Sequence, residues 1–402
     1  MGLTASDYIS RICVTKVYDV ARVTPLDRAR RLSGQLGVET YLKREDAQPV
    51  HSFKIRGAYS KMSRLSRGEL ARGVLAASAG NHAQGVAFSA VRLGTRATIV
   101  MPETTPEMKI DEVRSYGAEI VLAGETYSDA ADEAMRLVQE RGLTFVPPYD
   151  DPDVIAGQGT VAREILDALP EVDSIFVPIG GGGFAAGVSV YAKFVKPSVR
   201  VYGVEPTDSD CMARSLEAGR PVVVEHPGLF ADGVAVRAPG AETFRLCREN
   251  LDGVVRVSMS ETCEAIEDVF AATRIVCEPA GALALAALKK TARRGETAVA
   301  IVSGANMNFS SLSFIAADSM LAHLRDEILA DGQIDANEAR RLLDSLRPFL
   351  VPDSHLAALA DAVKSALADG VITSSESLQI ERLLSRGIDR RMRTAEERMA
   401  MG

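Results

Sequence analysis

Lys54 stands where a strand-like segment, 40–43, meets a helix-like segment that begins near Ser52. A lysine in the first turn of a helix faces the positive end of the helix dipole, which disfavours its charged form. The neutral amine is a nucleophile, so this position suits covalent chemistry better than a structural role. The alternative is an ordinary solvated lysine, and the other motifs of the chain decide between the two.

Four consecutive glycines, Gly180, Gly181, Gly182 and Gly183, follow the apolar segment 174–179 and precede a helix-like segment. Backbone without side chains at a helix N-terminus presents several N–H groups to an anion such as phosphate. The run has neither the lysine of a Walker motif nor a GxGxxG spacing, so nucleoside triphosphates and dinucleotides are not favoured. A tight turn alone would not justify the entropic cost of four glycines, and we interpret the run as a phosphate-binding loop.

Two further junctions between a strand and the next segment carry small polar residues. Ser78-Ala79-Gly80-Asn81-His82 follows a short strand of the buried type, where backbone N–H groups can hold a carboxylate and Asn81 offers an amide. Ser303 follows the last apolar strand, at the edge where α/β proteins bind ligands. Helix capping and loop formation are the ordinary roles of such residues, and His82 fits capping or packing better than ligand binding.

Together the motifs supply a reactive amine, a phosphate cradle, a carboxylate loop and a neutral hydroxyl. This set fits pyridoxal phosphate as the cofactor. A lysine forms the Schiff base, the glycine loop holds the phosphate, and the protein directs the electron-withdrawing ring.

The elements that must position these residues alternate between apolar strands and amphipathic helices. Strands at 73–78, 97–101, 119–122 and 144–146 alternate with helices in the β-α-β-α-β manner, and a second series of the same kind over 154–302 includes a strand at 253–257. Such alternation predicts parallel sheets with helices on both faces. Two open α/β units make a bilobal protein, whose cleft is the expected ligand site. A helix is also predicted to start at Thr24-Pro25-Leu26, with the proline in its first turn.

Composition limits the classes of function. The chain has 402 residues, 47% of them hydrophobic and 25% charged, and a net charge of −8. We therefore expect two or three soluble domains, no nucleic-acid partner and no membrane span. Five scattered cysteines without CxxC spacing indicate reduced thiols, and no signal peptide is recognisable, so we expect a cytoplasmic protein.

The C-terminal part carries an internal repeat. Segments 329–338 and 367–376 align, and each combines a glycine that ends one helix with a capping box that begins the next. The capping boxes are Asp335–Glu338 and Thr373–Glu376. The pattern also resembles half of an EF-hand loop, but the first and third acidic ligands are lacking, so calcium binding is not expected. We predict an all-α segment that serves interaction or assembly.

Seven motifs resemble, in order, those of the threonine dehydratase (threonine ammonia-lyase) family of fold type II pyridoxal phosphate enzymes. The resemblance is closest to the biosynthetic branch and covers residues 8–325. The motifs are Lys43-Arg44-Glu45-Asp46, Pro49-Val50-His51-Ser52-Phe53-Lys54, Ala77-Ser78-Ala79-Gly80-Asn81-His82-Ala83-Gln84-Gly85, Gly180-Gly181-Gly182-Gly183, Phe230-Ala231-Asp232-Gly233-Val234-Ala235-Val236, Glu278-Pro279-Ala280-Gly281-Ala282 and Ser303-Gly304-Ala305-Asn306.

The resemblance implies an α/β fold of two open parallel sheets with helices on both faces, in a bilobal arrangement. Residues 1–72 and 152–325 would form the large domain that binds pyridoxal phosphate, and 73–151 the small domain. Residues 326–402 would form the helical C-terminal domain.

The resemblance also implies a role for each matching residue. Lys54 would form the Schiff base and then act as the base for the α-proton, and Phe53 would pack beside the ring. Asn81 would bond the phenolic oxygen, glycines 180–183 the phosphate, and Ser303 would face the pyridine nitrogen. The substrate carboxylate would be received by Ser78, Ala79, Gly80, Asn81 and His82.

The implied reaction converts L-threonine to 2-oxobutanoate and ammonia, with conversion of L-serine to pyruvate as a side activity. A serine opposite the ring nitrogen does not enforce ring protonation, so a carbanion would expel the β-hydroxyl rather than persist. The biosynthetic branch points to isoleucine biosynthesis, while threonine catabolism and a specialised pathway stay open. We expect a homo-oligomer, dimer or tetramer, and a protein partner for residues 326–402.

Other activities share most of these motifs. Serine racemase has a serine at the position of Ala79, so racemisation is disfavoured here, and a β-replacement synthase has a different lysine context. A dehydratase of 3-hydroxyaspartate would need a cation for the second carboxylate, and the sequence places none. A racemase-like metal site around Glu205 is not expected, because Cys211 stands where an acidic residue is needed. A catalytically silent regulator is disfavoured by the intact Lys54 and glycine loop.

The C-terminus departs from the family pattern. Biosynthetic members usually continue into ACT-like domains of mixed α/β type that bind isoleucine. Residues 326–402 instead resemble the TerB-like helical domain, so we expect no feedback inhibition by isoleucine.

Overall fold

Two sheets organise the chain in a computed structural model, which describes residues 3–312, 314–316, 334–346, 355–368 and 372–383. The strands are β1 Leu26–Arg28, β2 Glu39–Arg44, β3 Val74–Ala77, β4 Ala97–Met101, β5 Glu119–Leu122, β6 Thr144–Phe145, β7 Ser174–Pro178, β8 Arg200–Pro206, β9 Gly253–Val257 and β10 Thr297–Val302.

The larger sheet has six strands in the order β1-β2-β10-β7-β8-β9. All neighbours pair in parallel except β1, which runs antiparallel to β2 with Leu26 opposite Lys43. Strand β7 is buried along its whole length, as expected for a parallel sheet covered on both faces. Because parallel strands end at the same edge, Ser303 after β10 and the glycines after β7 share one edge of this sheet.

The smaller sheet has four parallel strands in the order β5-β4-β3-β6. Strands β3 and β4 lie at its centre and are fully buried. Ser78 follows β3 directly, so the loop 78–82 lies at the carboxyl edge of this sheet. We call β3–β6 with their helices the small-sheet unit and the rest of the α/β region the large-sheet unit.

Helices cover both sheets. They are α1 Ala5–Val14, α2 Arg30–Leu36, α3 Lys54–Met62, α4 Arg67–Arg72, α5 Asn81–Leu93, α6 Glu107–Ser115, α7 Tyr127–Arg141, α8 Pro152–Ala168, α9 Gly183–Val195, α10 Cys211–Ala218, α11 Ala241–Asn250, α12 Met259–Thr273 and α13 Pro279–Thr291. Helix α3 packs against α5 of the small-sheet unit and α8 of the large-sheet unit, so it lies between the two units.

The predicted helix start at Thr24-Pro25-Leu26 is wrong. Leu26–Arg28 is strand β1, and the carbonyl of Pro25 accepts a hydrogen bond of 3.0 Å from the backbone N–H of Arg44. Thr24 is buried and its hydroxyl donates to Glu45 at 2.6 Å. Pairing with β2, which local sequence does not reveal, decides the conformation of this segment.

Helix α11 was not predicted. Its first turn is capped by Asp150, whose carboxylate accepts the backbone N–H groups of Ala241, Glu242 and Thr243 at 3.1 Å each. A cap supplied from so far along the chain leaves no local signal, because sequence patterns reveal only caps within a few residues of the helix.

The described C-terminal residues are helical, as predicted. Helices Ala336–Leu346 and His355–Ala366 and the helical residues 374–383 share a buried apolar cluster that includes Leu342, Val363 and Ile380. Asp335 and Thr373 each form the predicted capping box, with Glu338 and Glu376. Residues 329–333 and 369–371, which complete the repeat, lie outside the described residues.

Within the described ranges, each helix is too short or too polar to cross a membrane.

Candidate active site

Lys54 begins helix α3, and the segment before it is fixed to the end of strand β10. Ser52 pairs with Gly304 in an antiparallel bridge, and the backbone N–H of Phe53 donates to the carbonyl of Ser303 at 3.1 Å. The amine of Lys54 donates to the carbonyl of Pro148 at 3.0 Å. The structure therefore brings Lys54 and Ser303, distant in sequence, to the same place.

The electrostatic environment of Lys54 favours the neutral amine. Burial lowers the pKa of Lys54 to about 8, while the negative charge of Glu278 acts in the opposite direction. The first turn of α3 adds the positive end of a helix dipole. A much larger fraction of this amine is neutral near pH 8 than of an exposed lysine.

The glycine loop is shaped by close contacts that exclude side chains. A Cβ on Gly181 would lie 2.3 Å from the ring of Tyr149, and one on Gly183 would lie 2.7 Å from the Tyr149 carbonyl oxygen. Gly182 has φ +95°, a left-handed conformation that favours glycine. The loop opens helix α9, whose first N–H groups have no acceptor within the helix.

An aromatic pair joins this loop to Lys54. The rings of Phe53 and Phe184 stack at 3.9 Å between centroids with 9° between their planes. Phe53 precedes Lys54 and Phe184 follows Gly183, so this stack connects the segment that carries Lys54 to the glycine loop. One face of Phe53 is thereby covered by Phe184.

Asn81 begins helix α5 and is held at both ends of its amide. Its Nδ2 donates to Glu278 Oε1 at 2.8 Å, and its Oδ1 accepts from Asn306 Nδ2 at 2.6 Å. Since Asn306 lies three residues after Ser303, these bonds attach the small-sheet unit to the edge that carries Lys54.

The remaining predicted site residues differ in their hydrogen-bond partners. The hydroxyl of Ser303 donates to the carbonyl of Ala280 at 3.2 Å, and that of Ser78 accepts the backbone N–H of Gly80 at 3.3 Å. The Nε2 of His82 is bonded to the carbonyl of Val146 at 2.8 Å, and burial lowers the pKa of this imidazole to about 3. A neutral ring already bonded to backbone is consistent with packing beside the loop.

Glu278 and Asn306 received no role from the sequence, although both belong to recognised motifs. Their signal is the pattern of polar residues at the start of α13 and after β10. Only the fold shows that these two places face each other. Burial raises the pKa of Glu278 to about 8.

The donor set fits pyridoxal phosphate. The N–H groups at the start of α9 suit its phosphate, and Lys54 offers an amine of lowered pKa for its aldehyde. Asn81 has a second amide hydrogen that can reach a ring oxygen. The lack of side chains on the loop leaves its backbone open to close approach.

Glu205 lies in strand β8, and its carboxyl is bonded to backbone N–H groups. Its carboxyl accepts the N–H groups of Met212 and Ala213 at 2.9 and 2.8 Å, and burial raises its pKa to about 8. Among the described residues, no group of three His, Cys, Asp or Glu side chains is placed to hold a metal ion.

The fold and the site are those of a cofactor-dependent α/β enzyme. Comparison with protein families matches residues 17–304 to the family described as pyridoxal-phosphate dependent enzyme. The chain belongs to this family, and the predicted fold class and cofactor are confirmed.

Curated relatives with high sequence identity to this chain are threonine dehydratases. The biosynthetic L-threonine dehydratase of Burkholderia multivorans is 54% identical over 336 residues, which are 82% of this chain and 66% of that protein. The Escherichia coli enzyme of the same name is 48% identical over 329 residues, 81% of this chain and 64% of that protein. The chain thus spans about two thirds of the length of these relatives.

Solved structures agree with the fold. The processed form of threonine deaminase isoform 2 from Solanum lycopersicum gives a TM-score of 0.77 at 46% identity, covering 78% of this chain and 93% of that one. Maize serine racemase gives 0.71 at 30% identity, covering 80% and 97%. The recognised resemblance to threonine dehydratases is confirmed by these comparisons.

Proposed function

We propose that the chain converts L-threonine to 2-oxobutanoate and ammonia, with L-serine to pyruvate as a side activity. The observation that carries the proposal is the buried Lys54 amine, whose segment is joined to the glycine loop by the Phe53–Phe184 stack. Asn81, bonded to Glu278 and Asn306, supports it. The names of the relatives support the choice of substrate and a biosynthetic role.

The chain supplies binding groups for the cofactor and the substrate. Pyridoxal phosphate, when bound, contributes an electron-withdrawing ring that stabilises negative charge at the substrate Cα. Glycines 180–183 would hold the phosphate, Lys54 would bind the aldehyde, and Asn81 and Ser303 would orient the ring. Ser78, Ala79, Gly80, Asn81 and His82 form the loop for the substrate carboxylate, chiefly through backbone N–H groups.

Lys54 also moves the proton. With cofactor and substrate bound, the neutral Lys54 amine would accept the α-proton, and the Cβ–O bond would break as the hydroxyl takes up a proton and leaves as water. The released product takes up water and loses ammonia, which gives the 2-oxoacid. Ala79 offers no acid on the opposite face, which favours elimination over return of the proton and disfavours a racemase.

We further propose how the chain is arranged and where it works. The large-sheet unit corresponds to residues 1–72 and 152–325, the small-sheet unit to 73–151, and residues 326–402 form a helical domain for a protein partner. Scattered cysteines support a cytoplasmic location. We propose a homo-oligomer, dimer or tetramer, which light scattering after size-exclusion chromatography tests.

The test of function is formation of 2-oxoacid from L-threonine, L-serine and 3-hydroxyaspartate, measured in parallel. We expect threonine to give the highest kcat/KM. Lys54→Ala should abolish both turnover and the visible absorbance of the bound cofactor, whereas Lys290→Ala, at a half-exposed lysine, should preserve both. A higher kcat/KM for 3-hydroxyaspartate, or no turnover of any of the three, would contradict the proposal.

A further inference from the structure

Glu278 is a buried carboxyl at the active site for which the proposed reaction has no use. It is 2% exposed and precedes helix α13. Across the described residues, no lysine or arginine forms an ion pair with it. Its partners are the amide of Asn81 at 2.8 Å and the backbone N–H of Asn306. A buried carboxyl without a cationic partner is costly, so its presence calls for an explanation.

The backbone around Glu278 leaves room for its carboxyl. A Cβ on Gly304 would lie 2.6 Å from Glu278 Oε1, and one on Gly233 would lie 3.4 Å from the same atom. The backbone N–H of Glu278 donates to the carbonyl of Gly304 at 3.1 Å. The loop after β10 and the loop before α11 therefore each place a glycine, Gly304 and Gly233, next to this carboxyl, where a side chain at position 304 would crowd it.

Glu278 determines which way the Asn81 amide faces. The Nδ2 of Asn81 can donate to a carboxylate oxygen, whereas a flipped amide would place Oδ1 against it. Asn306 acts from the other side, because its Nδ2 donates to Asn81 Oδ1 and also to the carbonyl of Val50 at 2.9 Å. One Nδ2 hydrogen of Asn81 is donated to Glu278, so the second is left for another acceptor.

The charge of Glu278 also reaches the reactive amine. Ionised Glu278 raises the pKa of Lys54 against the effect of burial. Around Glu278 itself, burial raises the pKa to about 8, Asp232 raises it further, and the amide of Asn81, the backbone N–H of Asn306 and the charge of Lys109 lower it. Burial raises the pKa of the neighbouring Cys277 thiol, and the charges of Asp46 and Glu278 act in the same direction. Glu278 is therefore placed where its charge acts on the Lys54 amine.

We propose that Glu278 is a positioning residue of the active site, which fixes the donor side of the Asn81 amide toward the cofactor and sets the charge beside Lys54. The proposal deepens the proposed function, but it concerns cofactor binding and does not depend on which amino acid is the substrate.

The test measures pyridoxal phosphate binding and holoenzyme absorbance against pH for Glu278→Gln and Glu278→Ala. Gln keeps an oxygen for Asn81 but lacks the charge, so we expect nearly unchanged affinity and loss of an absorbance transition near pH 8. Ala leaves the Asn81 amide without this partner, so we expect affinity to fall about tenfold, as when a buried donor loses its acceptor.

Glu296→Gln is the matched control, because Glu296 is a buried carboxyl at the opposite end of strand β10, paired with Arg200. It should keep both the affinity and the transition. Wild-type affinity in Glu278→Ala, or an unchanged transition in Glu278→Gln, would overturn the proposal. If Glu278→Ala does not fold, the transition in Glu278→Gln decides. None of these readouts uses substrate, so they stand apart from a failure of threonine turnover.

Discussion

Lys54 combines two features that each favour a neutral amine, a position at the start of a helix and a buried environment. Neither feature stabilises the fold, since both oppose the charge that a lysine normally carries. Its hydrogen bond to the Pro148 carbonyl holds the amine in a fixed direction instead. At the scale of the residue, the neutral amine is therefore favoured by burial and not by a neighbouring base.

The lowered pKa predicts how the cofactor-free chain takes up pyridoxal phosphate. Only the neutral amine attacks the aldehyde, so the rate should rise with pH and level off above about pH 8, the pKa of Lys54. An exposed lysine would give a rate that still rises at pH 10, near its ordinary pKa of about 10.4. Absorbance measured by stopped flow across this range tests the prediction. A rate that keeps rising up to pH 10 would refute it.

Strands and helices with strong local patterns were predictable from sequence. The predicted strands 97–101, 119–122 and 253–257 coincide with β4, β5 and β9. Failures arose where a distant partner decides the conformation, as for β1, which pairs with β2, and for α11, which Asp150 caps. Local sequence does not carry that information.

The candidate site shows the same division. Lys54, the glycine loop and Ser303 follow strands or open helices, so their positions were predictable from the edges of parallel sheets. The hydrogen bonds that hold Asn81 were not predictable, because Glu278 and Asn306 belong to two other segments and meet Asn81 only in the fold. Polar partners contributed by distant segments leave no spacing in the sequence.

Helix α3, which carries Lys54, is anchored by a buried ion network. Arg56 pairs with Glu45 at 2.7 Å and with Glu164 at 2.6 Å, and Lys43 also pairs with Glu164 at 2.5 Å. All four side chains are at most 4% exposed. Burial acts to raise the pKa of Glu45, but Arg56 holds it below its ordinary value. The network ties α3 to the end of β2 and to α8.

Removing Arg56 should therefore destabilise the chain strongly. Arg56→Met keeps much of the volume but leaves two buried carboxylates with less compensation, so we expect a loss of about 3–5 kcal/mol. The control is Arg28→Met, which breaks the half-exposed pair with Glu39 and should change stability far less. Urea unfolding of both variants at pH 7 measures the difference, and equal losses would refute the assigned role of the network.

At the scale of the whole molecule, two sheets meet around one short segment. The segment 146–151 runs from β6 of the small-sheet unit to α8 of the large-sheet unit. The carbonyls of Val146 and Pro148 are hydrogen-bonded to His82 and Lys54. Tyr149 packs against the glycine loop, and Asp150 caps α11. A displacement of one unit relative to the other would therefore change the contacts of both the glycine loop and Lys54.

A second link between the units is an ion pair at the surface of the site. Lys109 of α6 pairs with Asp232 at 2.7 Å, and Asp232 lies beside Gly233, which borders Glu278 and Asn81. The two side chains are 32% and 49% exposed. A pair of this exposure contributes up to about 1 kcal/mol and is weakened by salt. We expect it to favour the arrangement in which the small-sheet unit covers the bound substrate.

Lys109→Met should therefore raise the KM for L-threonine by up to about fivefold, the equivalent of about 1 kcal/mol, and should change kcat less. The KM of the wild type should rise with ionic strength, whereas that of the variant should change little, because the screened interaction is already absent. Arg136→Met is the control, since Arg136 pairs with Glu133 and Glu140 within α7 and links nothing across the units. Steady-state kinetics at low and high salt separates the two variants. Salt screens the Lys109–Asp232 attraction in the wild type but has no such pair to screen in Lys109→Met. An equal salt dependence of KM in the two proteins would therefore show that the pair does not hold the units together.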